Sequence, residues 1–237
     1  MIRMLALALG LAGTLWAQDT GLYLRYGAWN SSTSGEISSS GTAADIGSDL
    51  GVNKDKPTAY GIVYRGNSQR FGLEIFDSSA SATVTLDAPL DFGGRHFDAG
   101  STVRTGLKIK TADVEFWQPL TAVPTMRTSL VMSLQRVEMR GSVEDAVLKN
   151  DDIIPAFGLG VTFLTPQSKM YVDFVVMGGE YKGASRYGGR LETGVDVTAN
   201  IGLYLGLKQE KLDLKDNKTA VFSTDTGSFY IGAHLHL

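Results

Sequence analysis

Phe229-Tyr230-Ile231-Gly232-Ala233-His234-Leu235-His236-Leu237 ends the 237-residue chain in strict alternation. Phe229, Ile231, Ala233, Leu235 and Leu237 share one parity, while Tyr230, Gly232, His234 and His236 share the other. Successive side chains of a strand point to opposite faces, so a period of two predicts a strand with one apolar and one mixed face. The same pattern recurs upstream. Ile201, Leu203, Leu205 and Leu207 alternate with Gly202, Tyr204, Gly206 and Lys208, and Leu191, Thr193, Val195 and Val197 with Glu192, Gly194 and Asp196. Pro155, Phe157, Leu159, Val161 and Phe163 alternate with Ala156, Gly158, Gly160 and Thr162. Phe71, Leu73 and Ile75 flank Gly72 and Glu74, and Leu22, Leu24, Tyr26 and Ala28 enclose Tyr23, Arg25 and Gly27.

Carried through the chain, the alternation predicts ten strands: 21–30, 57–66, 70–85, 103–118, 124–141, 152–164, 168–181, 187–197, 201–214 and 226–237. The fold class is all-β, a closed antiparallel transmembrane up-and-down β-barrel. Its connections run 26, 3, 17, 5, 10, 3, 5, 3 and 11 residues, long and short in turn. Outer-membrane barrels have short turns on one side and longer loops on the other, with both termini on the turn side when the strand count is even. A soluble sandwich has no reason for that asymmetry. Every segment reaches the roughly 9 to 11 residues that a tilted transmembrane strand needs.

Pro57, Pro124 and Pro155 stand near strand starts, Pro119 and Pro166 in turns and Pro89 in a loop, where a ladder tolerates them. Two aromatic girdles are expected, with Trp29, Tyr60, Phe76, Tyr181, Tyr187 and Phe229 on the loop side and Tyr64, Phe71, Phe116, Trp117 and Phe163 on the turn side. The apolar phase slips in two strands. Leu107 and Ile109 are odd while Ala112, Val114 and Phe116 are even, which predicts a bulge near Lys110 and Thr111. In 124–141, Leu130, Met132 and Leu134 give way to Val137 and Met139. Parsing these two segments differently gives eight strands.

The N-terminus is set apart. Arg3, the apolar run Met4 to Gly13 and the small residue at Ala17 form a signal-peptide pattern, so 1–17 is expected to be cleaved and 18–237 to form the barrel. Its apolar core is too short to span about 30 Å of hydrocarbon. The absence of Cys excludes disulfides, a thiol nucleophile and thiolate metal sites. A net charge of -3, with both signs dispersed, leaves no basic footprint for nucleic acid.

The closing run Tyr230-Ile231-Gly232-Ala233-His234-Leu235-His236-Leu237 resembles the C-terminal assembly signal of small bacterial outer-membrane β-barrels. Tyr230, Gly232, Leu235 and Leu237 carry the resemblance, and Leu237 stands where that family most often has Phe. Gly21 to Trp29, the loop Asp45-Ile46-Gly47-Ser48-Asp49-Leu50-Gly51 and Tyr60 to Arg65 are similar to exported barrels known only as outer-membrane proteins. The resemblance implies insertion into the outer membrane of a Gram-negative-type bacterium by the barrel-assembly machinery, with lipid and lipopolysaccharide as neighbours. It implies no reaction.

Arg25, Arg65, Glu74, Asp113, Glu115, Arg127, Asp173, Glu192, Asp196 and Lys208 fall on the non-aliphatic face. A basic residue turned toward mid-bilayer lipid costs about 2–4 kcal/mol, so these side chains are expected inside. There they either line a pore for small solutes or fill a narrow barrel as mixed-sign salt bridges. Many interior Gly residues argue for some free volume. His234 and His236 share one face, but three His in the whole chain are few for a metal site. His96 is expected in a solvated loop, the acidic residues Asp45, Asp49 and Asp55 lack EF-hand spacing, and Ser31 to Thr42 reads as flexible surface. No Gly-x-Ser-x-Gly elbow or clustered acid–His pair indicates an enzyme, and no cofactor is expected. The functional expectation is a non-enzymatic barrel, either a narrow passive channel or a structural element. The alternatives are an adhesin or receptor acting through loops 31–56 and 86–102, and a soluble exported barrel holding an apolar ligand.

Overall fold

The computed structural model describes residues 20–39, 42–66, 69–165, 169–215 and 220–237; the segment 1–17, expected to be a signal peptide, lies outside them. The strands are β1 (Gly21–Ser39), β2 (Thr42–Asp45), β3 (Lys54–Asp55), β4 (Thr58–Arg65), β5 (Arg70–Thr85), β6 (Leu90–Phe92), β7 (Arg95–Phe97), β8 (Thr102–Val123), β9 (Met126–Val143), β10 (Ala146–Thr165), β11 (Met170–Tyr181), β12 (Ala184–Asp196), β13 (Ile201–Lys215) and β14 (Ala220–His236). Ten of them, β1, β4, β5 and β8 to β14, pair antiparallel in chain order, and β14 returns to β1 from Tyr23↔His236 to Ser39↔Ala220. The result is a closed ten-stranded antiparallel barrel, with no helix among the described residues.

Gly21 and Leu237 lie at one end of the barrel, the near end, where short turns join β4 to β5, β8 to β9, β10 to β11 and β12 to β13. Above those turns the outer wall is an apolar belt. Leu22, Leu24, Ile62, Phe71, Ile75, Leu134, Phe157, Leu159, Phe163, Phe174, Leu203, Leu205, Leu207, Ile231 and Leu235 are all exposed. The belt ends abruptly along each strand, with Ile75 followed two residues on by Asp77, Leu134 by Arg136, Leu207 by Gln209 and Ile153 preceded by Asp151. Tyr60, Tyr64, Tyr181, Tyr187 and Phe229 are exposed on this wall, as girdle residues would be. Trp29 and Trp117 are not; both are buried in the lumen, and Phe76 packs with Trp29 there.

The bulge expected near Lys110 and Thr111 is absent. β8 stays in register with β9 from Thr105↔Val143 to Pro119↔Ser129, and the irregularity falls between Pro119 and Thr121. Burial alternates without a break, with Val103, Leu107, Ile109, Asp113, Glu115 and Trp117 all inward. What changes along the strand is the solvent on each side. Near the chain ends the outside is apolar and the inside charged, whereas at the far end the inside is apolar and Lys108, Lys110, Arg136 and Arg140 face out. The apparent phase slip is that inversion, and Val137 and Met139 in β9 have the same cause.

The far-end connections are also shorter than expected. β9 meets β10 through 144–145 and β11 meets β12 through 182–183, where Lys182 and Gly183 have φ of 51° and 85°, as a type I′ hairpin turn requires. Residues read as loop are absorbed into taller strands. Ser31 to Ser39, read as flexible surface, continues β1, and Ser40 and Gly41 lie outside the described residues.

Candidate functional site

All ten charged residues expected inside sit on inward positions of their strands, and the structure adds others to them. Arg25 donates to Glu192 at 2.6 Å and lies 4.0 Å over the Tyr204 ring. The Tyr171 and Tyr230 hydroxyls each donate to the same Glu192 carboxylate at 2.9 Å. Arg70 donates to Asp173 at 2.5 Å, and Arg65 stacks between Tyr23 and Tyr171. Further from the chain ends, Arg190 and the Trp117 indole both donate to Glu115. Arg186 forks between Asp113 and Glu210 at 2.7 Å each and donates to Ser133 at 2.8 Å. Lys208 lies 3.5 Å from Glu210, and Asp196 holds His234 at the near mouth. Glu74 and Arg127 face the same lumen and make no ion pair among the described residues.

Arg70, Arg186, Arg190 and Glu210 escaped the sequence reading, as did the tyrosines that satisfy Glu192. Arg190 stands two residues from Glu192, and Glu210 two from Lys208, so their inward parity was available. Arg186 lay one residue outside the predicted strand.

Interior glycines do not leave the lumen open. Tyr171 lies directly across the ladder from Gly194, Tyr204 from Gly232 and Tyr230 from Gly206. A Cβ on Gly206 would stand 2.4 Å from the Tyr230 ring, and one on Gly160 would stand 2.3 Å from Trp117. The glycines make room for neighbouring rings, which lie over them and fill the bore. Two lumenal cavities within this network measure about 10 and 20 Å³. A single water needs about 10–15 Å³.

Beyond the charged tiers, the far half of the lumen is occupied by a cluster of 21 buried apolar residues. The wall contributes Val103, Leu107, Ile109, Val137, Met139, Ile154, Leu212, Leu214 and Phe222. Ile46, Leu50 and Val52 enter from the β1–β4 connection, and Leu86, Leu90 and Phe92 from the β5–β8 connection. The two long connections are therefore folded into the barrel mouth as its plug. Thr105 Oγ1 fixes one of them by donating to the Leu50 carbonyl at 2.5 Å.

The far-end polar residues act locally. Asp45 accepts from the backbone amides of Gly47 and Ser48 at 2.8 and 2.7 Å, and those bonds, the Ser48 amide foremost, hold its carboxyl below the usual range. Asp55 accepts from the Ser78 hydroxyl at 2.8 Å and from the Ser79 amide. Their lone pairs are thus used within the turn and the seam beside β5, and no metal-ligating cluster occurs among the described residues. His96, on the exposed β6–β7 hairpin, donates to Asp91 at 2.7 Å, and this bond raises its pKa. Arg95 ties the same hairpin to Asp145 in the β9–β10 turn.

At the C-terminus Tyr230 and Gly232 face inward, while Leu235 and Leu237 are exposed on the wall.

No family model and no curated protein matches this sequence. Solved structures do match in fold. The outer membrane protease OmpT from Escherichia coli aligns over 94% of this chain and 99% of its own, with a TM-score of 0.62 and 11% identity. Neisserial surface protein A aligns over 92% of this chain and 98% of its own at 14% identity and a TM-score of 0.44. Ail of Yersinia pestis covers 93% and 100% at 8% identity and 0.39. By fold, the chain is a ten-stranded antiparallel β-barrel of the architecture found in bacterial outer-membrane proteins.

Proposed function

We propose that this chain is an integral outer-membrane barrel with a closed lumen, whose far end faces outward as a binding surface and performs no catalysis. The apolar belt supports insertion, since side chains such as Phe157 and Leu207, 60% and 55% exposed, would otherwise stand in water. The N-terminal export pattern fits the same location.

The observation that carries the non-conducting part is the filled bore. An ion would have to cross paired buried charges and then the plugged mouth, where Ile46 and Leu50 of the plug and Ile37, Val137, Met139 and Phe222 of the wall are fully inaccessible. A dry apolar constriction excludes ions because they would lose their hydration without replacement. Of the channel and structural alternatives, this arrangement favours the structural barrel. The rim built from 42–55 and 86–101 is then the part available to partners.

The test is planar-bilayer recording of the mature protein, with heat-shifted gel mobility establishing that it has folded. The reading expects no discrete conductance from folded barrels. Reproducible unitary steps would overturn it.

A further inference from the structure

The barrel wall is incomplete in one place. β4 begins at Thr58, level with Asp77 of β5, so β5 from Ser78 to Thr85 continues upward with β8 on one side only. On the β1 side the gap is lined by 42–55, which pairs with β1 through Ser31↔Asp55, Ser32↔Lys54 and Glu36↔Asp45. Between that segment and β5, the Asp55 carboxylate caps the Ser79 amide, and no ladder follows.

The direction of the unpaired groups follows from the ladder. Leu86 donates to Ser101 and accepts from Gly100, so even residues of β5 bond toward β8. Odd residues therefore aim N–H and C=O away from it, as Ser79 does toward Asp55. Ser81, Thr83 and Thr85 present a bare edge: they face β8 in register on one side, and no backbone hydrogen bond to them from the other side is found among the described residues. Ala82 and Val84, whose side chains face the plug, are only half-buried, consistent with an open seam beside them.

Edges of this kind are normally blunted by charge, proline or a bulge. Ser78 to Leu86 has none of these. The charge lies one strand back. Lys108 sits directly opposite Arg140, a like-charged pair that costs stability when nothing neutralises it. Neither residue, nor Arg104, makes an ion pair among the described residues. Together with Ser79, Ser81, Ser142 and Glu144, whose carboxylate accepts from the Arg104 amide, they line an outward groove of about 370 Å³ in which the cations outnumber the acid. Because the outward side chains of β5 are short hydroxyls, Arg104 and Lys108 of β8 reach over them toward a strand added at the edge.

We propose that the β5 edge from Ser79 to Thr85 takes up an extended, acidic segment of a partner protein by strand addition. Backbone hydrogen bonds would supply the affinity, and Arg104 and Lys108 would select acidic side chains. This deepens the binding-surface reading above and rests on it. A second copy in the same membrane does not fit. Rotation about the membrane normal carries a strand tilted by about 35–45° into one that crosses it at about 70–90°, too steep for a ladder.

The experiment uses the folded full barrel in detergent and a fluorescent nine-residue peptide alternating Asp with Val, read by anisotropy. Amide hydrogen exchange is followed in parallel. The expected result is saturable binding that weakens with salt, with the Ser81, Thr83 and Thr85 amides fast in the free protein and slowed by the peptide. A Lys-for-Asp peptide and a proline-interrupted acidic peptide should bind at least tenfold more weakly. Thr83→Pro removes an outward amide that the native ladder does not use, so it should fold normally and lose the peptide; Arg104→Glu with Lys108→Glu should lose it also.

Slow exchange of those amides in the free barrel, absence of binding at millimolar peptide, or equal binding of the proline-interrupted peptide would each overturn the proposal. The last result would reassign the groove to anions in general, glycolipid phosphates included. Edge-dependent self-association of the barrel would overturn the choice of occupant. None of these results bears on conductance, so failure here is distinguishable from failure of the closed-barrel reading.

Discussion

Replacing Arg186 by Met should be among the most damaging single changes in the lumen. The guanidinium is 3% exposed and holds two carboxylates, Asp113 and Glu210, that are 6% and 10% exposed. Met fills similar space but leaves Asp113 with only the Ser133 hydroxyl, and Glu210 with Lys208 at 3.5 Å and a weak bond from Gln135. Removing one partner of a buried ion pair costs about 3–5 kcal/mol, mostly the penalty of the stranded charge. Arg186→Met with Asp113→Asn should recover more than half of that loss, because Glu210 keeps Lys208 and no uncompensated carboxylate remains. Arg186→Lys should fall between, since a point charge cannot fork to both acids. The assay is urea unfolding of the barrel in lipid vesicles, followed by the emission of buried Trp29 and Trp117. A loss below about 1 kcal/mol for Arg186→Met, or no recovery in the double variant, would refute the account of a buried, strongly coupled triad.

Three further outcomes are expected. Leu205→Arg should cost about 2–4 kcal/mol in vesicle unfolding, while Gln209→Arg, four residues along the same face and past the belt, should cost close to nothing; equal effects would misplace the belt. The His96 imidazole should titrate above its ordinary value of about 6.5. Its contact with Asp91 therefore stabilises the hairpin below that value and is lost as pH rises through the raised pKa; an NMR titration that Asp91→Asn leaves unchanged would contradict this. Gly160→Ala should destabilise by about 1–3 kcal/mol because its Cβ meets the Trp117 ring, whereas Gly227→Ala, with no atom within 4 Å of the added carbon, should be neutral in the same assay.

Strand number, order and facing were legible because lipid imposes one rule on the outer face of every strand. The predicted bounds of β5 coincide with those found, and the inward set from Arg25 to Lys208 follows from parity alone. What stayed hidden depends on neighbours in space. Leu107 and Ile109 looked out of phase because the rule was assumed to hold along the whole strand, although the far half stands outside the belt. Trp29 and Trp117 were assigned to girdles by position along the strand, and only their parity shows that they lie inside. The interior glycines read as empty volume because the rings that lie over them belong to the next strand or the one beyond. Tyr204 shows the same dependence: its parity places it inside, but only the fold shows that it lies against Arg25, where a second cation is unfavourable.

The inversion of polarity along the strands divides the molecule thermally. In the belt the wall faces hydrocarbon, and the interior is held by paired charges, neither of which depends strongly on the ordering of water. The plug and the wall around it are different, because the 21 residues of their shared cluster are withdrawn from water much as in a soluble protein. Such burial carries a large heat-capacity change on unfolding and weakens as temperature falls. Chilling should therefore loosen the far end while the embedded half stays intact, leaving a barrel that is soundly anchored but open at its mouth.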